Sequence, residues 1–217
     1  MTEFVARRLM MVDTQVRPQD VTKFPIIDAM LAVPRENFVL EHQREVAYSG
    51  DNIDLGDGRV LLAPRTFAKM LDALNIGPTE LVLDLGAGLG YSSAVIAQMA
   101  QFVVAVEDNA SMNAEAADQL AQAGADNVVL HQGALADGAA EHGPYDVVMI
   151  EGGVVDVTEK IVAQIKNGGR IAAIFIDGAL GTVRLGHKAG DTIAWRFAFN
   201  ADAPVLPGFK KAQAFTF

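Results

Sequence analysis

Three glycines at a strand-to-helix junction constrain this chain more than any other feature of its sequence. Gly86, Gly88 and Gly90 follow the short apolar segment Leu81–Leu85 and precede a helical pattern. Glycine is required at such a turn where φ is positive, or where a ligand lies against the backbone. The spacing therefore predicts a ligand site at the carboxyl end of a buried strand.

Short apolar segments alternate with helical ones along the middle of the chain. The predicted buried strands are Leu81–Leu85, Phe102–Val106, Asn127–His131, Val147–Ile150 and Arg170–Ile176. The predicted helices are Tyr91–Ala100, Ser111–Ala123, with Ser111 as N-cap and Gly124 after its end, and Asp156–Lys166, ended by a turn at 167–169. This alternation with short connections predicts a doubly wound, mostly parallel α/β sheet.

The two ends of the chain depart from this rhythm. The segments Thr182–His187, Thr192–Phe199 and Ala212–Phe217 are typical of strands without intervening helices, and Ala203–Phe209 is typical of a loop. We therefore expect a seven-stranded sheet with antiparallel strands at its C-terminal end. Residues 1–77 are expected to form a helical N-terminal extension, and residues 78–217 the α/β core, of a single domain spanning 1–217.

The residues around the glycines indicate which ligand they suit. Dinucleotide sites use G-x-G-x-x-G, whereas the third glycine here follows the second by only two positions. The carboxylate of Asp84 would repel a pyrophosphate, but it suits a ligand that carries an ammonium and a sulfonium. Glu107 ends the next strand, where an acid is placed to hold ribose hydroxyls. These features favour S-adenosylmethionine and a class I methyltransferase fold; the alternative is a packing turn with a solvated Glu107.

Composition excludes several classes of protein. The 217 residues include no cysteine, which excludes disulfides and thiolate chemistry, and the formal net charge of −10 disfavours nucleic acid as a partner. No apolar run is long enough to span a membrane, and the first residues lack a secretory signal, so we expect a cytoplasmic protein. The four scattered histidines do not predict a metal site, and nothing in the sequence fixes the oligomeric state.

Several segments resemble the protein-L-isoaspartate (D-aspartate) O-methyltransferase family. They are Ala32–Val39 (AVPRENFV), Ala47-Tyr48 followed by Asp51, Asp84–Tyr91, Val106-Glu107, Pro144–Asp146 (PYD) and Gly168–Arg170 (GGR). The resemblance implies S-adenosylmethionine as cofactor, and as substrate a protein or peptide whose isoaspartyl carboxylate is methylated in damage repair. The cofactor-binding residues expected on this basis are Asp84, Leu85, Gly86, Ala87, Gly88, Gly90, Tyr91, Glu107, Asp108, Gly133 and Ala134.

The chain departs from the family pattern at two places. Leu62 stands where the family's T-[IV]-S-Q-P segment has its substrate-binding serine, and Ala134 stands where the family's GDG has its aspartate. Arg59 and Arg65 flank the first departure and are candidates to pair with a substrate carboxylate, the alternative being that both face solvent. Glu151, after the fourth strand, is a further candidate on the substrate side.

Three functions remain open at this point. The first is isoaspartyl carboxyl methylation, which needs no general base because a carboxyl group is already ionised at neutral pH, so no catalytic residue is assigned. The second is methylation of another small substrate, which the change at Leu62 favours. The third is a non-catalytic module that binds a ligand or partner, which the change at Ala134 favours.

Overall fold

The computed structural model describes residues 3–210 of the chain. Its α-helices are α1 (Glu3–Met11), α2 (Phe24–Ala32), α3 (Pro64–Leu74), α4 (Tyr91–Ala97), α5 (Ala110–Gln122) and α6 (Glu159–Ala163). Its strands are β1 (Ile53–Gly56), β2 (Arg59–Leu61), β3 (Leu81–Leu85), β4 (Phe102–Glu107), β5 (Val128–Gln132), β6 (Tyr145–Val154), β7 (Ile165–Asp177), β8 (Leu180–Ala189) and β9 (Thr192–Asn200). Among these described residues, no helix has the length and apolar character that crossing a membrane requires.

Seven of these strands form one sheet in the order β5-β4-β3-β6-β7-β8-β9. The first five are mutually parallel, and β8 and β9 continue the sheet as antiparallel strands. The central strands carry apolar side chains on both faces, and these side chains are buried, as expected of parallel strands that helices cover on both sides. The predicted fold class, a doubly wound and mostly parallel seven-stranded sheet of the class I methyltransferase type, is confirmed.

The central position of β3 sets the location of the predicted ligand site. Its neighbours β4 and β6 both run parallel to it, with Asp84 opposite Ala105 on one side and opposite Met149 on the other. The carboxyl ends of the three strands therefore meet at one edge of the sheet. Ligands of open α/β sheets bind at such an edge, where neighbouring strands carry connections to opposite faces.

Residues 1–77 were predicted to form a helical extension, and besides helices they contain a β-hairpin that this prediction did not include. Strands β1 and β2 pair antiparallel, with Ile53 opposite Leu61. Asp57 and Gly58 connect them with φ values of +51° and +73°. Two consecutive residues of positive φ favour Asp-Gly and form the tight hairpin turn whose twist matches the strands. That dipeptide was the signal in the sequence that helical spacing alone did not capture.

Three predicted boundaries also change. Asn109, not Ser111, is the N-cap of α5, because its side-chain oxygen accepts hydrogen bonds from two backbone N–H groups of the first turn. Helix α6 is shorter than predicted, and residues 167–169 belong to β7, where the pairing with β6 shifts register around Gly168 at φ +81°. The predicted strand Ala212–Phe217 lies outside the described residues.

Candidate active site

The glycine loop that leaves β3 adopts the backbone conformation for which its sequence is suited. Gly86, Gly88 and Gly90 have φ values of +79°, +56° and +92°. The N–H of Gly86 donates to the carbonyl of Val106 at 3.0 Å, which ties the loop to the end of β4. Side chains with a Cβ rarely adopt these φ values, so all three positions require glycine for backbone reasons alone.

Asp84 is fully buried beneath this loop. The hydroxyls of Ser92 and Ser93, in the first turn of α4, donate to its Oδ2 at 2.6 and 2.5 Å. Its Oδ1 has no hydrogen-bond partner among the described residues. Burial raises the pKa of the Asp84 carboxyl to about 6, although the two serine hydrogen bonds oppose the rise. A buried carboxylate with an unpaired oxygen is suited to a donor group on a ligand.

Glu107 was predicted to hold ribose hydroxyls, but both of its carboxylate oxygens accept hydrogen bonds from the protein itself. Arg59 on β2 donates from Nε to Oε2 at 3.0 Å and from Nη2 to Oε1 at 2.9 Å. The backbone N–H groups of Gly88 and Asn109 donate to the same carboxylate at 2.9 and 3.0 Å. A carboxylate has about four lone-pair sites, so this arrangement leaves none for a ribose hydroxyl.

Arg59 is consequently not placed as expected. Its side chain is 1% exposed and also contacts Asp108, so it neither faces solvent nor is free to pair with a substrate carboxylate. Arg65, the second candidate, donates to Gln19 at 2.8 Å and lies over the ring of Phe199. Arg59 therefore pairs with Glu107 beside the glycine loop, and Arg65 contacts Gln19 and Phe199.

A segment after β9, residues 202–209, crosses the carboxyl edge of the sheet; we call it the C-terminal strap. Its Leu206 N–H donates to the carbonyl of Gly153 at 2.9 Å, and the Gly153 N–H donates to the carbonyl of Pro204 at 2.8 Å. Farther along, the N–H of Val155 donates to the carbonyl of Phe209 at 3.0 Å. These paired backbone bonds fix the strap against the end of β6.

Leu206 of the strap packs between the glycine loop and the end of β6. Its Cδ1 lies 3.1 Å from the position that a Cβ on Gly86 would occupy, and its Cγ lies 2.6 Å from the corresponding position on Gly152. The side chain is fully buried in an apolar cluster with Leu135. On the other side of the loop, Leu55 of β1 lies 3.1 Å from the corresponding position on Gly88. Side chains of the protein therefore occupy the faces of two loop glycines.

The cofactor-side residues fit S-adenosylmethionine in their chemistry. Asp84 supplies a buried oxygen that has no partner within residues 3–210, and the three loop glycines of positive φ leave the backbone there without side chains. Gly133 and Ala134 follow β5 beside the same edge, where Gly133 donates its N–H to the carbonyl of Glu107 at 3.2 Å.

The substrate-side departure at Leu62 is buried and adjoins an arginine that the sequence analysis did not single out. Leu62 is 1% exposed, and its carbonyl accepts a hydrogen bond of 2.8 Å from Nη2 of Arg35. Arg35 is fully buried, stacks over the ring of Tyr91 at 4.9 Å, and has an Nη1 without a partner in the described structure. Arg35 belongs to the VPRE segment that resembles the family, and this was the feature of the sequence that could have marked it as a candidate site residue.

Glu151 lies at the end of β6 on the same face of the sheet as Asp84. Its carboxyl group is buried, and its Oε1 has no hydrogen-bond partner within residues 3–210. Burial raises the pKa of Glu151 well above its ordinary value, and the neighbouring Asp84 raises it further, while Arg35 opposes the rise. Its role toward a ligand stays a prediction.

Three residues that seemed unrelated in sequence come together near the end of β5. The ligand atoms of His131, Glu141 and His142 lie within 4.8 Å of one another, and all three side chains are partly or largely exposed. Because exposed acidic and imidazole side chains often lie together on protein surfaces without a metal ion, the cluster by itself does not define a metal centre.

The fold and the site define a class I methyltransferase, and comparison with known proteins specifies the family. The family model "Protein-L-isoaspartate(D-aspartate) O-methyltransferase (PCMT)" matches residues 8–188. A protein-L-isoaspartate O-methyltransferase of Syntrophus aciditrophicus is 36% identical over 171 residues, covering 79% of this chain and 78% of that protein. One from Methylorubrum extorquens is 35% identical, covering 95% of this chain and 91% of that protein. The chain belongs to the protein-L-isoaspartate (D-aspartate) O-methyltransferase family.

Solved structures agree with this fold. A protein-L-isoaspartate O-methyltransferase structure superposes with a TM-score of 0.83 at 23% identity, covering 93% of this chain and 66% of that chain. A Plasmodium falciparum structure described as a beta-aspartate methyltransferase, in complex with S-adenosyl-L-homocysteine, superposes with a TM-score of 0.78 at 15% identity, covering 95% and 99%. At these identities the two structures support the fold alone.

Proposed function

We propose that this chain is an S-adenosylmethionine-dependent methyltransferase that methylates the carboxylate of isoaspartyl residues in proteins. The observation that carries the proposal is the glycine loop over the buried Asp84, within a chain that belongs to the family. When bound, the cofactor supplies an electrophilic methyl group. Asp84, Gly86 and Gly88 are the residues that would hold it.

The chain's own residues then have to bind the acceptor, exclude water and offset negative charge. The acceptor carboxylate is ionised at neutral pH, so no general base is required, and positioning is the main contribution of the protein. The guanidinium of Arg35 adjoins Leu62, and its Nη1 has no hydrogen-bond partner in the described part of the chain, which supports Arg35 as the cation for the acceptor. A guanidinium donates to carboxylates with favourable geometry and can replace the missing serine hydroxyl.

A second candidate is supported by different residues. Ala134 lacks the carboxylate of the family's GDG segment, and Arg59 pairs with the Glu107 carboxylate at the carboxyl edge of the sheet. These features favour a non-catalytic module that binds a ligand or a protein partner through the same fold. They leave the family membership unchanged and weaken the expected contacts to the cofactor.

Methyl transfer to an isoaspartyl peptide and to the same peptide with normal aspartate separates these functions. With labelled S-adenosylmethionine, we expect base-labile label on the isoaspartyl peptide alone. Label on neither peptide, at enzyme concentrations high enough to detect one turnover, would contradict the repair function. Arg35→Lys keeps the charge but loses the planar donor pair, so it should lower turnover, whereas Arg44→Lys at the exposed end of its helical turn should not.

A further inference from the structure

Four buried side chains around the predicted site each have one polar atom without a hydrogen-bond partner, as far as residues 3–210 are concerned. These atoms are Oδ1 of Asp84, Oε1 of Glu151, Nη1 of Arg35 and the phenol oxygen of Tyr91. All four residues are at most 4% exposed. Because nearly all buried polar groups in folded proteins are hydrogen-bonded, such a group of unpaired atoms indicates a polar ligand at this place.

The sheet and the N-terminal region bring these atoms together. Asp84 on β3 pairs with Met149 on β6, and Glu151 lies two residues after Met149, so the two acids share one face of the sheet. Arg35 lies in the short turn after α2 and stacks over the ring of Tyr91 at 4.9 Å. The charges of Arg35 and Asp84 both act on the Glu151 carboxyl group, so the arginine and the two acids adjoin one another.

We propose that Glu151 binds the acceptor carboxylate as a neutral carboxylic acid, whose O–H donates to it beside the guanidinium of Arg35. The hydrogen bond that Leu62 cannot supply then comes from β6, against which β2 lies just before Leu62. This proposal rests on the proposed function, and it names a binding residue for the acceptor at the same site.

The charged groups that face Glu151 favour its neutral form. They are Asp84 from β3 and Arg35 from the turn after α2. Among the described residues Arg35 donates to the backbone carbonyls of Ala47 and Leu62 and forms no ion pair with Glu151. Burial raises the pKa of the Glu151 carboxyl well above its ordinary value, and Asp84 raises it further. A carboxyl group in such surroundings keeps its proton to a higher pH and can donate a hydrogen bond.

An O–H donor suits the acceptor at this position. A second ionised carboxyl group would repel the acceptor carboxylate in a buried site, whereas a protonated one forms a short, charge-assisted hydrogen bond with it. In the reaction an acceptor oxygen forms a bond to the methyl carbon, the C–S bond breaks with its electron pair going to sulfur, and the Glu151 proton stays in place. Because the acceptor loses its negative charge in this step, the hydrogen bond strengthens substrate binding and not the transition state.

Binding of an isoaspartyl peptide to the protein saturated with S-adenosylhomocysteine tests this without turnover. The peptide has blocked ends and no other titratable side chain. Since the carboxylate binds only when Glu151 is protonated, we expect its Kd to rise at least fivefold between pH 6 and pH 10. Over the same range, calorimetry in two buffers of different ionisation enthalpy should show a proton taken up on binding, to a greater extent at higher pH.

Variants of Glu151 separate a donor from a structural role. Glu151→Gln keeps an N–H donor, so it should bind the peptide within threefold of wild type at pH 6, with a Kd that changes less than twofold up to pH 10. Glu151→Ala has no donor and should bind at least tenfold more weakly than wild type at pH 6. The exposed Glu115→Gln is the matched control and should follow wild type at every pH. Thermal melting shows that each variant is folded.

Three results would overturn the proposal. Glu151→Gln as weak as Glu151→Ala would mean that the charged form is required, and a Glu151→Gln profile that follows wild type would place the titration elsewhere. A loss of S-adenosylhomocysteine affinity in Glu151→Gln would assign the residue to the cofactor. Each of these leaves the proposed function intact if wild type methylates the peptide. If wild type binds S-adenosylhomocysteine but neither binds nor methylates the peptide, the proposed function fails as well.

Discussion

Arg59 and Glu107 form a fully buried ion pair, in which Nη2 lies 2.9 Å from Oε1 and the two side chains are 1% and 0% exposed. The pair joins the β1–β2 hairpin to the end of β4 and so holds a local hairpin onto the central sheet. Removing one partner of such a pair leaves an uncompensated buried charge, which is more damaging than removing both.

Arg59→Met should therefore lower the free energy of unfolding by about 3–5 kcal/mol. The double variant Arg59→Met/Glu107→Gln should be less destabilised than the sum of its single variants, by roughly 1–3 kcal/mol. Urea unfolding of the four proteins measures this coupling. Strict additivity would show that the two side chains do not interact energetically.

Asp84 should make the stability depend on pH. Folding raises the pKa of its carboxyl from 3.8 to about 6, so the folded state holds this proton more tightly and stability is lost as pH rises between those values. Asp84→Asn should be more stable than wild type above pH 6, by up to about 3 kcal/mol at roughly 1.4 kcal/mol per pH unit. Near pH 3.5 the two should converge. Asp118→Asn, on the exposed face of α5, serves as the control for the loss of one surface carboxylate.

Glu151 should add to this slope. Because burial raises its pKa in the folded state, its contribution to stability is lost as pH rises above its ordinary value of 4.5. Glu151→Gln should raise the free energy of unfolding at pH 8 by at least roughly 1.4 kcal/mol, the value of one pKa unit, because the neutral amide needs no proton to be buried. The exposed Glu115→Gln should have no effect. A destabilised Glu151→Gln at pH 8 would show that the carboxylate has a partner in solution.

Gly152 should be intolerant of a methyl group while Leu206 is present. Gly152→Ala is expected to destabilise the protein by about 1–3 kcal/mol through overpacking. Adding Leu206→Ala should recover part of this loss, and the recovery identifies the clash. Gly77→Ala, where the nearest atom would be 3.6 Å from the new Cβ, is the matched control. If the double variant is no more stable than expected from additive effects, the two positions are not in contact.

The parts of this fold in which apolar residues follow one regular spacing were predictable from sequence. The apolar run Leu81–Leu85 is too short for a helix and ends in an acid followed by glycines, so its place as a central strand follows from local chemistry. The prediction that Asp84 holds a ligand follows from the same local chemistry. Family resemblance added the assignment of Gly133 and Ala134 to that edge of the sheet.

What sequence did not indicate depends on contacts between distant positions. Arg59 and Glu107 are 48 residues apart, and no local pattern shows that they saturate each other. The loop Ala203–Phe209 was correctly expected to lack regular structure along most of its length, but its proline and glycine content says nothing of where it docks. That destination depends on Gly152 and Gly153, whose missing side chains have meaning only once β6 and the strap are adjacent.

The hydrogen bonds of Asn52 have a consequence for the stability of the whole domain. One amide accepts from the N–H of Ala63 beside the β1–β2 hairpin and donates to the carbonyl of Asp202, which lies 150 residues farther along the chain. This side chain therefore works as a cross-link between two segments that no strand pairing joins. Asn52→Ala should lower the free energy of unfolding by about 1–3 kcal/mol, because it leaves a backbone N–H and a carbonyl without their partner.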